Sequence, residues 1–364
     1  MYRPHLDFAL ALDRLLPVPD NPVPDNLVWS PLSVASALTL VAAGARGGTR
    51  AELAAALAPG ADLDELAECL RGAASAPGAE IAVANMLWMA LDLDFEADYQ
   101  SAVLGWPGGV LHHADFRRDP GGCRSMINDE VAKTTRQLIK DLLRPGILKP
   151  DTAAVVVNAL YLRIAWRMPF EAGATTPRPF HAPSGTRPVP TMRQRERMTY
   201  AAAGGWRMVT LPAGGPVAVD VLLPDTPGST GTPAGPDPDT LAALHAAGRP
   251  VTVDLALPRF RVEAATDLNE PLARLGIRTA FTAAADFSGI TRSRPIRIDE
   301  VVHKAVLAVD EQGLEGAAAT AVAMRVVSMD LEPPVAVHVD RPFLMVVRHA
   351  PTGAIYFLAR VGEP

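Results

Sequence analysis

DEQGLEGAAATAVAMRVVSMDLEPP, residues Asp310 to Pro334, is the stretch on which the reading of this chain turns. An acidic turn opens it, small residues fill Gly316 to Ala323, and a Pro pair closes it near the C-terminal end. Ala-rich runs favour helix, whereas Gly313, Gly316 and the Val326-Val327 pair oppose one. Periodicity leaves the segment undecided, so its meaning has to come from the chain around it.

That chain has 364 residues, 49% hydrophobic and 20% charged, a globular composition with enough apolar material for a large core. A net charge of −6 supplies no basic footprint, so neither nucleic acid nor an anionic membrane surface is an expected partner. Arg far outnumbers Lys and Ala and Pro are abundant, a bias that resembles a high-GC bacterial genome. The opening MYRPHLDFALALDRLLPVPD carries Asp7 and Asp13 within its apolar run, which reads as an amphipathic helix and not as a signal peptide. The literal expectation is a cytoplasmic protein, with secretion left open. No run reaches the length of a membrane span. Cys69 and Cys123 stand alone and are expected to be free, structural thiols.

Helical patterns dominate residues 27 to 145. SPLSVASALTLVAAGA begins on a Ser-Pro, and TRAELAAALA follows a Gly pair with Thr49 as N-cap and Glu52 three residues on, a capping box. DPGGCRSMINDEVAKTTRQLIKDLL predicts a further helix ending at Pro145-Gly146. AEIAVANMLWMA between them has the apolar density of a strand covered on both faces. From about residue 153 strands take over: AAVVVNALYLRI, VAVDVLLP, VTVDLALPRFRV, VVHKAVLAV, VAVHV and PFLMVVRH. Helices early and strands late, without βαβ alternation, predict an α+β fold. Residues 224 to 240, rich in Pro, Gly, Ser and Thr, predict a surface loop.

Catalytic motifs are missing. No G-x-S-x-G, P-loop or dinucleotide fingerprint occurs, and GARGGTR lacks the lysine that would hold a phosphate. His112, His113 and Asp115 offer ligand atoms, but adjacent side chains project differently and no second cluster completes a site, so no metal is expected. His303 lies in an apolar β pattern, where a satisfied buried histidine is the ordinary reading. Neither an enzyme nor a cofactor is expected.

Seven ordered blocks then give the pattern a name. NLVWSPLSVASALTLVAAGARGGTRAEL, VVVNALYLRIAWRMPF, TMRQ, LPRFRVEAATDLNEPLARLGI, AFTAAADFSGI, VVHKAVLAVDEQGLEGAAATA and VDRPFLMVVRHAPTGAIYFLARVGEP resemble, in that order and over about 330 residues, the serpins, a family of suicide protease inhibitors. The resemblance implies one domain over residues 1–364, with helices packed on three β-sheets, a large central sheet and an exposed reactive-centre loop at about 311–333. It also implies a monomer, metastable until its loop is cut, that forms a covalent complex with a serine protease and loop-sheet polymers under stress. Serpin loop insertion is itself the known case of strand addition that releases stored strain.

Site residues follow from the same resemblance. The hinge is Glu311, Gly313, Leu314, Glu315, Gly316, Ala317, Ala318, Ala319 and Thr320, small enough to enter a packed sheet. The sheet-opening region is Ser30, Ser33, Asn158 and His303; where the family has a Ser four residues before this His, this chain has Asp299. The loop-entry region is Trp166, Arg259 and Lys304, with Glu311 expected to meet Arg259. Counting from Glu311 puts the scissile bond at Val327-Ser328, suited to an elastase-like protease. Met329, Asp330 and Leu331 mark alternative bonds suited to chymotrypsin- or subtilisin-like enzymes. Leu314 and Gly316 depart from the family pattern, which implies partial substrate behaviour. The alternative function is a non-inhibitory carrier, chaperone or binding module.

Overall fold

The computed structural model describes residues 2–16, 26–226, 235–314 and 333–364. Glu315, Gly316, Ala317, Ala318, Ala319, Thr320, Val327, Ser328, Met329, Asp330 and Leu331 lie outside the described residues. The helix Pro31–Gly44 forms the centre of the core, with thirteen of its fourteen residues buried. Its sequence explains the burial: apolar and small side chains surround the axis, so no face needs water. Ser30 caps it, its Oγ accepting from Ser33 N at 3.1 Å, and Pro31 occupies the first turn, where no donor is missed.

A six-stranded sheet packs on this helix. Its order is Phe260–Asp267, Glu300–Val309, Gly313–Leu314, Ala154–Ala165, Glu80–Ala90, Gly109–Ala114. Ala154–Ala165 is buried through its first nine residues, as the near-continuous run of Val, Ala and Leu requires. Glu300–Val309 runs parallel to it from the pair Glu300/Val155 to the pair Lys304/Ala159. Beyond those pairs Gly313–Leu314 lies between the two strands, antiparallel to each. The central sheet is therefore closed at one end and parted at the other.

The remaining strands make a nine-stranded network. Its 19-residue strand Gly185–Ala203 bonds to Thr176–Ala182, Trp206–Pro212 and Arg249–Pro258 along different parts of its length. Two of the three expected sheets are thus hydrogen-bonded through one shared strand. Among the described residues no helix is long and apolar enough to cross a membrane.

Four local expectations change. The helix expected from Thr49 begins at Gly47, with Arg46 as N-cap and no side-chain cap. Thr49 and Glu52 form no capping box; they reach across to the 278–286 segment. Asp286 N donates to Thr49 Oγ1 at 2.9 Å, and Glu52 accepts from Arg278 N, Thr279 N and Thr279 Oγ1 at 2.6 to 2.8 Å. These bonds outweigh the burial of Glu52 and hold its carboxyl below the usual range. The second change is the helix expected to reach Pro145, which spans only Pro120–Thr134. Arg136 and Gln137 have φ of 50° and 66°, and Thr135 Oγ1 accepts from Ile139 N at 3.2 Å, so the chain turns away. The third change splits VTVDLALPRFRV between the two sheets. Pro258 ends one strand and Phe260 begins the other. In the fourth, Asp237 caps a helix, Pro238–Ala247, whose first three residues fall in the stretch expected to be loop.

Glu52→Ala is expected to destabilise the protein by about 1–2 kcal/mol, because three donors lose one acceptor. Thr49→Ala should cost less, and Tm measured for both variants checks the order.

Candidate functional site: the seam of the central sheet

Where the two central strands meet, four polar residues are buried against the Pro31–Gly44 helix. Ser30, Ser33, Asn158 and His303 are each at most 1% exposed. Ser30 N–H donates to His303 Nε2 at 2.9 Å, which makes that nitrogen an acceptor. The ring proton therefore sits on Nδ1, which faces Asn158 Oδ1 at 3.2 Å. Asn158 Nδ2 in turn donates to Ser33 O and Asn85 Oδ1, both at 2.7 Å, and to Ala84 O at 3.3 Å. One consistent pattern of donors and acceptors thus fixes a neutral imidazole. Burial pushes His303 down to about 4, opposed only weakly by its bond to Asn158.

His303 and Asn158 face each other in the parallel register, one rung before the strands part. The seam between them is polar where the two rungs before it, Val301/Val156 and Val302/Val157, are apolar. Separating the strands here exchanges hydrogen bonds, while separating a wholly apolar seam would expose core surface to water.

At the parted end the turn Asp310 to Gly313 is held by the Asp310 carboxylate and one backbone bond. Asp310 Oδ1 accepts from Gln312 N and Gly313 N at 2.8 and 3.1 Å, and Asp310 N donates to Gly313 O at 3.0 Å. Trp166, 2% exposed, lies against this turn, its indole N–H donating to Asp310 O at 2.8 Å and its backbone N–H to Gln312 O at 2.9 Å. Phe170 N donates to Glu311 O at 2.9 Å. Gly313 is required by contact: a Cβ there would lie 2.1 Å from Ile164 O. Leu314 pairs with Ile164 and is fully buried. Ile164 lies on the face of its strand that carries Asn158, so Leu314 is on the same face.

A family model described as Serpin (serine protease inhibitor) matches residues 5–364. The chain belongs to the serpin family. It is similar to the leukocyte elastase inhibitor of Bos taurus, with 34% identity over 369 residues that cover 97% of each chain. Among solved structures it is similar to thyroxine-binding globulin in complex with thyroxine, with a TM-score of 0.87 and 25% identity, covering 100% of this chain and 99% of that one. Uncleaved ovalbumin shares the fold, with a TM-score of 0.86 at 23% identity, covering 100% and 99%. Serpins are protease inhibitors and not catalysts, so this serpin is not an enzyme.

The structure brings Ser30, Ser33, Asn158 and His303 together and sets Trp166 beside the hinge turn. Glu311 and Arg259 are 3.7 Å apart, with Arg259 more than half exposed, a pair that contributes little. The closer partner of Glu311 is Thr175, whose Oγ1 donates to Oε1 at 2.7 Å. Lys304 is not at the entry. It lies beside His303 in the closed part of the sheet, its Nζ 2.7 Å from Glu263 Oε1, because its strand position pairs with Ala159 and not with the end of the neighbouring strand. Sequence reasoning also missed Asn85, a single Asn in an apolar strand. His112 stacks on Trp88 at 4.0 Å and His113 Nε2 is 2.8 Å from Leu93 O. Cys69 and Cys123 are both free and buried.

A pH dependence follows from His303. An unfolded histidine titrates near 6.5, so between about 6.5 and 4 the unfolded chain binds the proton and the native chain does not. Stability is full above that window and falls as pH drops through it, by on the order of 3 kcal/mol. His5, fully buried and also pushed down to about 4, adds a similar loss. Unfolding midpoints from pH 7.5 to 4.5 should therefore fall further for the wild type than for His303→Gln; parallel curves would contradict this.

Proposed function

We propose that this serpin is an irreversible inhibitor of an elastase-like serine protease, acting as a single unit over residues 1–364 with its loop at about 311–333. The observation that carries the reading is Gly313–Leu314, already paired between two strands that part just where it enters. Each residue further along the loop would pair one residue further back on Ala154–Ala165. That progression brings Met324 opposite Ala154. It would set Gly316, Ala318, Thr320, Val322 and Met324 on the buried face of Leu314, and Glu315 on the opposite face. An uncharged and mostly small set on one side suits insertion into a packed sheet. Cleavage at Val327-Ser328 would leave a segment long enough to fill the whole slot.

The chemistry then needs no catalytic group from this chain. The protease serine Oγ attacks the Val327 carbonyl, the Ser328 amine leaves, and an ester joins the two proteins. Insertion carries the esterified enzyme away from its docking position and distorts its oxyanion hole, so water does not complete hydrolysis. The name of the bovine relative and the aliphatic Val327 both support an elastase-like target. A monomer is the expected state, with loop-sheet polymers when the slot opens without a cut. The carrier, chaperone or binding-module reading, to which likeness to thyroxine-binding globulin adds, fits less well with a hinge of small residues.

Incubation with pancreatic elastase is expected to give a complex that survives a denaturing gel and a C-terminal fragment beginning at Ser328. A fragment beginning at Asp330 or Glu332 would move the bond and the protease class. Cleavage without a complex would remove the inhibitory reading. The cut form should melt well above the intact form, because the inserted loop completes the sheet. Gly313→Val should turn the inhibitor into a substrate, since its side chain collides with Ile164 O; the ratio of complex to cut product measures it.

A further inference from the structure

Asp299 stands at the foot of the seam, at the closed end of the two strands that must part. Its Oδ2 accepts from Ala153 N at 2.7 Å and lies 3.5 Å from Ala154 N, while its own N–H donates to Ala154 O at 3.2 Å. Arg297 Nε, 3.1 Å from Oδ1, fixes the orientation of the carboxylate, which is only 17% exposed. On the other side Asn269 holds the same strand: its Nδ2 donates to Asp299 O at 2.7 Å and its Oδ1 accepts from Val301 N at 2.9 Å. Residues 299 to 301 are thus anchored to the helix Asn269–Leu275 and, through the Asp299 carboxylate and its backbone N–H, to the first residues of the neighbouring strand. A cleft of about 250 Å³, lined by Lys149, Asp151, Asn269, Arg297 and Glu300, lies beside that carboxylate and leaves room for it to swing away.

We propose that Asp299 is a positioning residue that latches the foot of the central sheet and sets how readily the cut loop can run to the end of its slot. The inference rests on the insertion reading above. In the register that starts at Gly313, the loop reaches Ala154 at Met324 and Ala153 at Arg325. An inserted strand would hold the former neighbours about 10 Å apart, two strand spacings. No 2.7 Å bond spans that distance, so the latch exists only before insertion is complete. Among hydrogen bonds, one to a charged acceptor is the stronger kind, and its loss is felt in the rate of any step that breaks it. An ordinary strand-start carboxylate would instead stabilise the intact and inserted forms alike.

The two cases separate by experiment on the full chain. Asp299→Ala and Asp299→Asn are compared with wild type as intact protein and after nicking within residues 326–331 by limited papain digestion. The expected result is a fall of a few degrees in the melting midpoint of intact Asp299→Ala, with the nicked forms of variant and wild type within about one degree. Loss of inhibitory capacity by self-insertion on mild warming should be roughly tenfold faster. Asp299→Asn keeps a carbonyl acceptor for Ala153 N–H and should lie between the two, which also covers a failure of the Ala variant to fold. Equal falls in intact and nicked forms, or no change in either, would overturn the latch. Absence of any rise in the wild-type midpoint on nicking would sink the insertion reading itself, a distinct outcome.

Discussion

The contact between His303 Nδ1 and Asn158 Oδ1, 3.2 Å long and fully buried, is the constraint around which the central sheet is arranged. Two parallel strands that must stay together and, on the insertion reading, later separate cannot be joined by apolar packing alone, because opening would then expose core surface. A polar rung solves this only if the imidazole and the amide that form it are satisfied while closed. The Ser30 N–H, the Ser33 carbonyl and the Asn85 amide complete it, and all are supplied by neighbouring elements. The buried helix Pro31–Gly44 is consequently more than a core element, since its capped N-terminus presents the groups that fix the histidine tautomer.

The hinge obeys a different requirement. On the insertion reading it must be ordered up to Leu314, where insertion would start. Order comes from backbone bonds to Asp310, Trp166 and Phe170, which do not depend on the identity of the loop residues. The Glu311–Arg259 ion pair is peripheral by comparison, with its cation largely in water. Gly313 is fixed by the approach of the Ile164 carbonyl, and Leu314 caps the open end of the core. Bulk at Leu314 is accepted because its position faces apolar neighbours, so its departure from the family pattern leaves the register intact.

Much of this was legible in the chain. The change from helical to β patterning gave the fold class, because period and β-branching act over a few residues. Order and content of seven blocks pointed to the serpins, and Ser30, Ser33, Asn158 and His303 meet at one seam while Trp166 lies against the Asp310–Gly313 turn. Thr49 with Glu52 was misread, since S/T-x-x-E serves a cap or a tertiary tie equally well and only the packed 278–286 segment decides. The helix ending at Thr134 was overrun for a similar reason: residues 135–143 have helical propensity, but Thr135 bonds to Ile139 N and the chain turns instead.

What the sequence alone determined was composition-deep and local: an α+β chain, a run of small residues after Asp310, a polar set among apolar strands. The tertiary structure decided which polar groups meet. Asn85 joins the rung because its strand pairs with Asn158, Thr175 shares the Glu311 carboxylate with Arg259, and Lys304 meets Glu263 because its strand pairs it with Ala265, two residues along on the same face. Asp299 spans the seam because strand register sets it beside Ala153. Such partners lie tens to hundreds of residues apart, and no local pattern encodes a hydrogen bond of a few ångströms across that separation.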